Sequence, residues 1–83
     1  MLDSKALSLL RGRAQSIDVT LQVGKAGVTD ALVAELYQQL EDHELVKVRL
    51  MKGEVREGAT ELAKKTGAEL VEVRGKTAVF YKA

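Results

Sequence analysis

Eighty-three residues, 46% of them apolar and 30% charged, with no proline and no cysteine, make one folded domain over residues 1–83 and exclude both a disulfide framework and a cysteine zinc site. The apolar runs are a few residues long, too short for a membrane-crossing helix, and the start, Met1-Leu2-Asp3-Ser4-Lys5, lacks the long apolar core of a secretory signal. A cytoplasmic location without membrane attachment is therefore expected, and the net charge of +1 becomes informative only through its distribution.

Leu7, Leu10, Ala14 and Ile17 recur at helical spacing, so a first helix is predicted from Ser4 to about Ser16, with Asp3 or Ser4 as its cap. Arg11 and Arg13 flank that stripe and can reach solvent. Val19, Leu21 and Val23 alternate with polar residues, the pattern of a strand with one buried face, and the strand ends at Gly24. Thr29 is a natural N-cap for a second helix reaching about His43, with Leu32, Val33, Leu36, Tyr37 and Leu40 as its core stripe. His43 continues the stripe and is read as a packed or capping residue.

Leu45 to Met51 reads as the second strand, with Val46, Val48 and Leu50 on one face and Lys47, Arg49 and Met51 on the other. Val55, Ala59, Leu62 and Ala63 mark a third helix that ends at Gly67 after Lys64 and Lys65. Val71 and Val73 define a third strand, Gly75-Lys76 a two-residue hairpin turn, and Thr77 to Tyr81 a fourth strand. The order is α-β-α-β-α-β-β: an α+β two-layer sandwich with a mixed four-stranded sheet, in which strands one to three are parallel and strand four is antiparallel. Which face the first helix covers stays open.

Charge is segregated along this order. Asp30, Glu35, Glu41, Asp42 and Glu44 stand on or beside the second helix without a lysine or arginine among them. Three stretches carry bases and no acids: residues 4–17 (Lys5, Arg11, Arg13), 45–53 (Lys47, Arg49, Lys52) and 73–83 (Arg74, Lys76, Lys82). Folded together, they would form a basic surface opposite an acidic helix.

The corner Val23-Gly24-Lys25-Ala26-Gly27-Val28-Thr29-Asp30 joins these observations. Two glycines three apart let a ligand approach the backbone, Lys25 adds a charge, and the following helix offers free amides to an anion. A bare Gly-x-x-Gly match is expected by chance about 0.4 times in a chain of this length. Its setting between a half-buried strand and a capped helix has to carry the argument.

Leu10-Arg11-Gly12-Arg13-Ala14, the glycine corner, Leu40-Glu41 with His43-Glu44-Leu45-Val46-Lys47-Val48-Arg49, and Gly75-Lys76-Thr77-Ala78-Val79-Phe80-Tyr81 stand in order along the chain. Together they resemble the CRM domain of the YhbY-like RNA-binding proteins. The resemblance implies a fold like the C-terminal domain of bacterial translation initiation factor 3, with strand order 1-2-4-3. It also implies binding of structured RNA through a loop compared with that of KH domains, and an association with precursors of the large ribosomal subunit. By the same resemblance the RNA loop is Gly24, Lys25, Ala26 and Gly27, and the basic end of the first helix is Arg11 and Arg13. The family's helix-one histidine and its proline before strand one have Gln15 and Asp18 in their regions here.

The expected function is thus an RNA-binding module, its partner structured rRNA or a pre-ribosomal particle, with Gly24, Lys25, Ala26, Gly27, Arg11, Arg13, Lys47 and Arg49 as the contact residues. A monomer is favoured. The competing reading is a protein-interaction module that docks a basic partner through the acidic second helix. An enzyme is not expected, nor a metal or other cofactor, because the chain has one histidine, no cysteine and no carboxylates clustered at metal-ligand spacing.

Overall fold

The computed structural model describes residues 2–51 and 53–82, so Lys52 and the terminal Met1 and Ala83 lie outside the described residues. The first helix, α1 (Ser4–Ala14), starts where the Asp3 carboxylate accepts the Ala6 N–H at 2.8 Å. It ends sooner than its apolar stripe suggested, because the Ser16 and Ile17 amides turn back to the Arg13 and Ala14 carbonyls at 3.2 Å and tighten the last turn. β1 (Val19–Val23) follows, then α2 (Asp30–Asp42), capped by the Thr29 hydroxyl, which accepts the Leu32 N–H. His43 stops α2 by adopting extended backbone; its N–H reaches the Gln39 carbonyl at 2.8 Å and its side chain is exposed rather than packed.

β2 (Leu45–Leu50) leads to α3 (Val55–Thr66), which closes on Gly67 in the left-handed region at φ 76°. β3 (Glu69–Arg74) and β4 (Thr77–Tyr81) complete the expected hairpin. The sheet order is β1-β2-β4-β3, with β1 parallel to β2 and β4 antiparallel to both β2 and β3. Hence β1, β2 and β3 all point the same way.

The main core lies between the sheet and the pair α2/α3, where Val23, Leu36, Val48, Leu50, Leu62 and Phe80 are almost completely buried. Side chains of this size stabilise by about 1.5–3 kcal/mol each when buried. The sheet with this pair is the expected two-layer sandwich. The question left open for α1 has its answer on the other face: Leu10 and Ala14 pack against Leu45, Val71 and Val79 in a second, smaller cluster.

Three positions differ from their pattern. The register slips between Val19 and Leu21, so Val19 stands opposite Lys47 while Leu21 and Val23 pack in the main core. A second slip between Leu70 and Glu72 sends Val71 to the α1 side and Val73 to the main core. Tyr37 is not a core residue: it is 43% exposed at the margin of the Leu36–Leu40 line, and the Lys82 ammonium lies 3.9 Å from its ring centre.

Candidate nucleic-acid interface

Because β1, β2 and β3 are parallel, the connections that leave their C-terminal ends meet at one end of the sheet. The glycine corner is there: the Gly27 N–H donates to the Gly24 carbonyl at 3.0 Å, closing a turn over residues 24–27. Gly27 has φ 73°, a conformation that costs a residue with a side chain about 1–2 kcal/mol. Gly24 is different. Its φ is ordinary, and a Cβ built on it would meet nothing within 4 Å. Folding alone does not demand a glycine at that position.

Two backbone bonds tie the neighbouring connections to this corner. The Met51 N–H donates to the Val23 carbonyl at 3.0 Å, and the Leu50 N–H donates to Lys76 in the hairpin turn at 2.8 Å. Lys25 and Lys76 thus project from the same end of the molecule, and neither side chain has an ion-pair or hydrogen-bond partner among the described residues. Among the described residues the Val28 and Thr29 N–H groups also lack a backbone acceptor, whereas the Leu32 and Val33 amides are taken by the Thr29 cap. Unpaired donors beside an unpaired cation favour an anionic ligand.

The strand registers place the other bases. Gln22, Arg49, Thr77 and Arg74 stand opposite one another across β1, β2, β4 and β3. Val19, Lys47, Val79 and Glu72 form the row behind them. Directly opposed residues share a sheet face, and here it is the face on which α1 packs. Since α1 ends at Ala14, it leaves the front row uncovered. A cavity of about 330 Å³ opens at its end, lined by Ala14, Gln15, Lys47, Glu72, Arg74, Thr77 and Val79. The Lys47 side chain is half-buried in it and has no partner among the described residues, where Arg74 makes only a long 3.9 Å contact with Glu72.

The two arginines of α1 are elsewhere. Arg13 donates to the Glu44 carboxylate at 3.0 Å, next to the N-terminal end of β2. At about 3.3 Å per residue, that is some 20 Å from the glycine corner along the strand direction. Arg11 lines a groove with Leu7, Arg56 and β3, at the sheet edge opposite to β1. The fold therefore places residues 24–27 and Arg49 towards one end of the sheet, sets Lys47 one row behind Arg49 on the α1 face, and keeps Arg11 and Arg13 away from the glycine corner. Arg74 joins the basic face although its local sequence marked it only as one base in a run. Its neighbours Gly75-Lys76 predicted the turn, and pairing Thr77 back onto Arg74 would have shown that both face the same way as Arg49.

Residues 2–82 match the CRS1/YhbY (CRM) domain. The chain is 34% identical over 85 residues to the Bacillus subtilis (strain 168) protein named "Probable RNA-binding protein YqeI", covering 99% of this chain and 88% of that one. It is 38% identical over 65 residues to the Pseudomonas aeruginosa protein named "Probable RNA-binding protein PA4753", covering 75% of this chain and 62% of that one. The solution structure of SAV1595 from Staphylococcus aureus, described as a candidate RNA-binding protein, superposes with a TM-score of 0.87 at 34% identity, covering all of this chain and 90% of that one. In sequence and in fold, the chain belongs to the CRS1/YhbY (CRM) domain family.

Proposed function

We propose that this protein binds structured RNA through its phosphate backbone and that it acts on rRNA in precursors of the large ribosomal subunit. The observation that carries the reading is the corner at residues 24–27: open backbone at Gly24, and a Lys25 side chain and Val28 and Thr29 amides that are without partners among the described residues, all at one end of the sheet. Gly24 and Gly27 let a phosphodiester lie against the loop, the amides donate to it, and Lys25 neutralises its charge. The names of the bacterial relatives support RNA as the ligand class.

Sequence readout by base stacking has no platform here. Phe80 is buried against α2 and α3, Tyr81 packs with the α1 cluster, and Tyr37 is engaged by Lys82. Recognition rests on charge and on the shape of the RNA, unlike the aromatic sheet of an RRM. The acids of α2 lie across the sheet from the basic face, so RNA can approach that face without meeting them.

Crosslinking in cells followed by sequencing of the attached RNA tests this assignment. Enrichment of large-subunit rRNA precursors is the expected result. Fragments spread evenly over total RNA would contradict the ribosomal role, and a protein partner retained after nuclease treatment in place of any RNA would favour docking through α2.

A further inference from the structure

The uncovered part of the sheet face is chemically unusual. A solvent-facing sheet row needs some polarity, but Lys47 is half-buried between the apolar Val19 and Val79 and has no counter-ion among the described residues. A charge so placed is costly unless water or a ligand reaches it, and the cavity at the end of α1 provides that access. Three cations, Lys47, Arg49 and Arg74, meet a single acid, Glu72, across the two rows. The 3.9 Å contact between Arg74 and Glu72 exceeds the roughly 2.7–2.9 Å of a committed charge-assisted bond, so that guanidinium is available to another anion. Thr77 donates its hydroxyl to the Arg74 carbonyl at 2.8 Å and keeps its own oxygen free to accept.

We propose that this face is a second contact for the backbone of the same RNA, with Lys47 and Arg74 holding one phosphate over the cavity and Arg49 an adjacent one. The inference rests on the RNA-binding reading above and adds Arg74, together with the cavity, to it. Arg49 and Arg74 are two strands apart, about 10 Å, and Lys47 is about 7 Å behind Arg49 along β2. The positions are thus spread over the face as a backbone is, rather than gathered as for a small anion. No aromatic side chain lies in either row, so the ligand chemistry is phosphate and not an unstacked base.

An acidic protein segment would satisfy the same charges, but continuity favours RNA. Met51, two residues beyond Arg49, is bonded to the Val23 carbonyl just before Gly24. One polyanion crossing the front row therefore runs onto the glycine corner, and both contacts belong to a single track.

The test uses the whole chain and a mixed-sequence RNA hairpin of about 16 base pairs, the length a small duplex-binding domain spans. Binding is measured across a salt series for the natural protein, Lys25→Ala, the Lys47→Gln/Arg74→Gln double variant, and Lys64→Ala as a control on α3. Glutamine keeps most of the side-chain length, and thermal unfolding of each variant establishes that it is folded. The double variant should lose about tenfold or more in affinity near 0.1 M salt, with its salt slope reduced by roughly 0.7–0.9 for the one phosphate it no longer holds, while Lys64→Ala is unchanged. Natural affinity and slope in the double variant, with Lys25→Ala weakened, would overturn the second contact and leave the glycine corner standing. If Lys25→Ala and the double variant both bind as the natural protein does, both contacts fail. Displacement of the hairpin by an equal concentration of polyglutamate, lost in the double variant, would assign the face to an acidic protein instead.

Discussion

The Arg13 guanidinium donates to Glu44 at 3.0 Å, fastening the end of α1 to the start of β2 at the opposite end of the strands from the glycine turn. Both side chains are about half exposed, 54% and 53%, so water screens the pair and its contribution is about 0.2–1 kcal/mol. Arg13→Ala should therefore lower stability by less than about 1 kcal/mol in urea unfolding. On the proposed reading it should also weaken RNA binding much less than Lys25→Ala does. A loss for Arg13→Ala equal to that for Lys25→Ala would place RNA at both ends of the strands.

Gly24 and Gly27 should separate folding from binding. Gly27→Ala forces a side chain into φ 73° and is expected to cost about 1–2 kcal/mol of stability. Gly24→Ala meets no neighbour and should stay within about 0.5 kcal/mol of the natural protein. Its added methyl nevertheless stands where a phosphodiester would lie, so RNA affinity should fall. Unfolding midpoints and binding isotherms on the same two variants decide the matter; natural affinity in Gly24→Ala would mean that the corner is only a turn.

Helical glycines offer a second contrast. Gly12 in α1 has open space where a Cβ would go, so Gly12→Ala should stabilise by about 0.5–1 kcal/mol. Gly58 in α3 is packed on the sheet, and a Cβ there would come within 2.6 Å of the Leu50 side chain, itself in the core. Crowding of that kind costs about 1–3 kcal/mol and offsets the helix gain. Gly58→Ala should thus be at best neutral by thermal unfolding. Stabilisation matching that of Gly12→Ala would show that Leu50 moves aside freely.

The aromatic side chains should also part company. Phe80→Ala removes a fully buried ring between the sheet and α2/α3 and should cost about 3–5 kcal/mol, a large share of the about 5–15 kcal/mol that holds a typical native protein together. Tyr37→Leu loses the face presented to Lys82, worth about 0.5–1 kcal/mol at an exposed site. A double-mutant cycle with Lys82→Ala isolates that term. A coupling near zero would mean that the ammonium only rests over the ring.

Much of this arrangement was legible in local sequence. Thr29 and Gly67 mark helix ends because a hydroxyl and a left-handed glycine satisfy orphan backbone groups, and both do so in the structure. The alternation of Val46, Val48 and Leu50 with Lys47 and Arg49 gave the two faces of β2 correctly, since that strand keeps its register. The slips at Val19/Leu21 and Leu70/Glu72 were hidden because valine and leucine read as apolar on either face. The stripe of α1 fits either side of the sheet for the same reason. The tie of Arg13 to Glu44, 31 residues away, is not encoded in local spacing, and although the hairpin pairs Arg74 with Thr77, its place in one row with Arg49 depends on the long-range pairing of β2 with β4.

On the proposed reading the corner at residues 24–27 grips RNA backbone, with Lys25 supplying the charge. Binding of a mixed-sequence RNA hairpin by the natural protein and by Lys25→Ala, measured from low to moderate salt, tests it most directly. The expected result is a steep loss of affinity with salt for the natural protein, weaker binding by the variant whatever the hairpin sequence, and a slope lower by roughly 0.7–0.9. An affinity and slope unchanged by the loss of the lysine would contradict it.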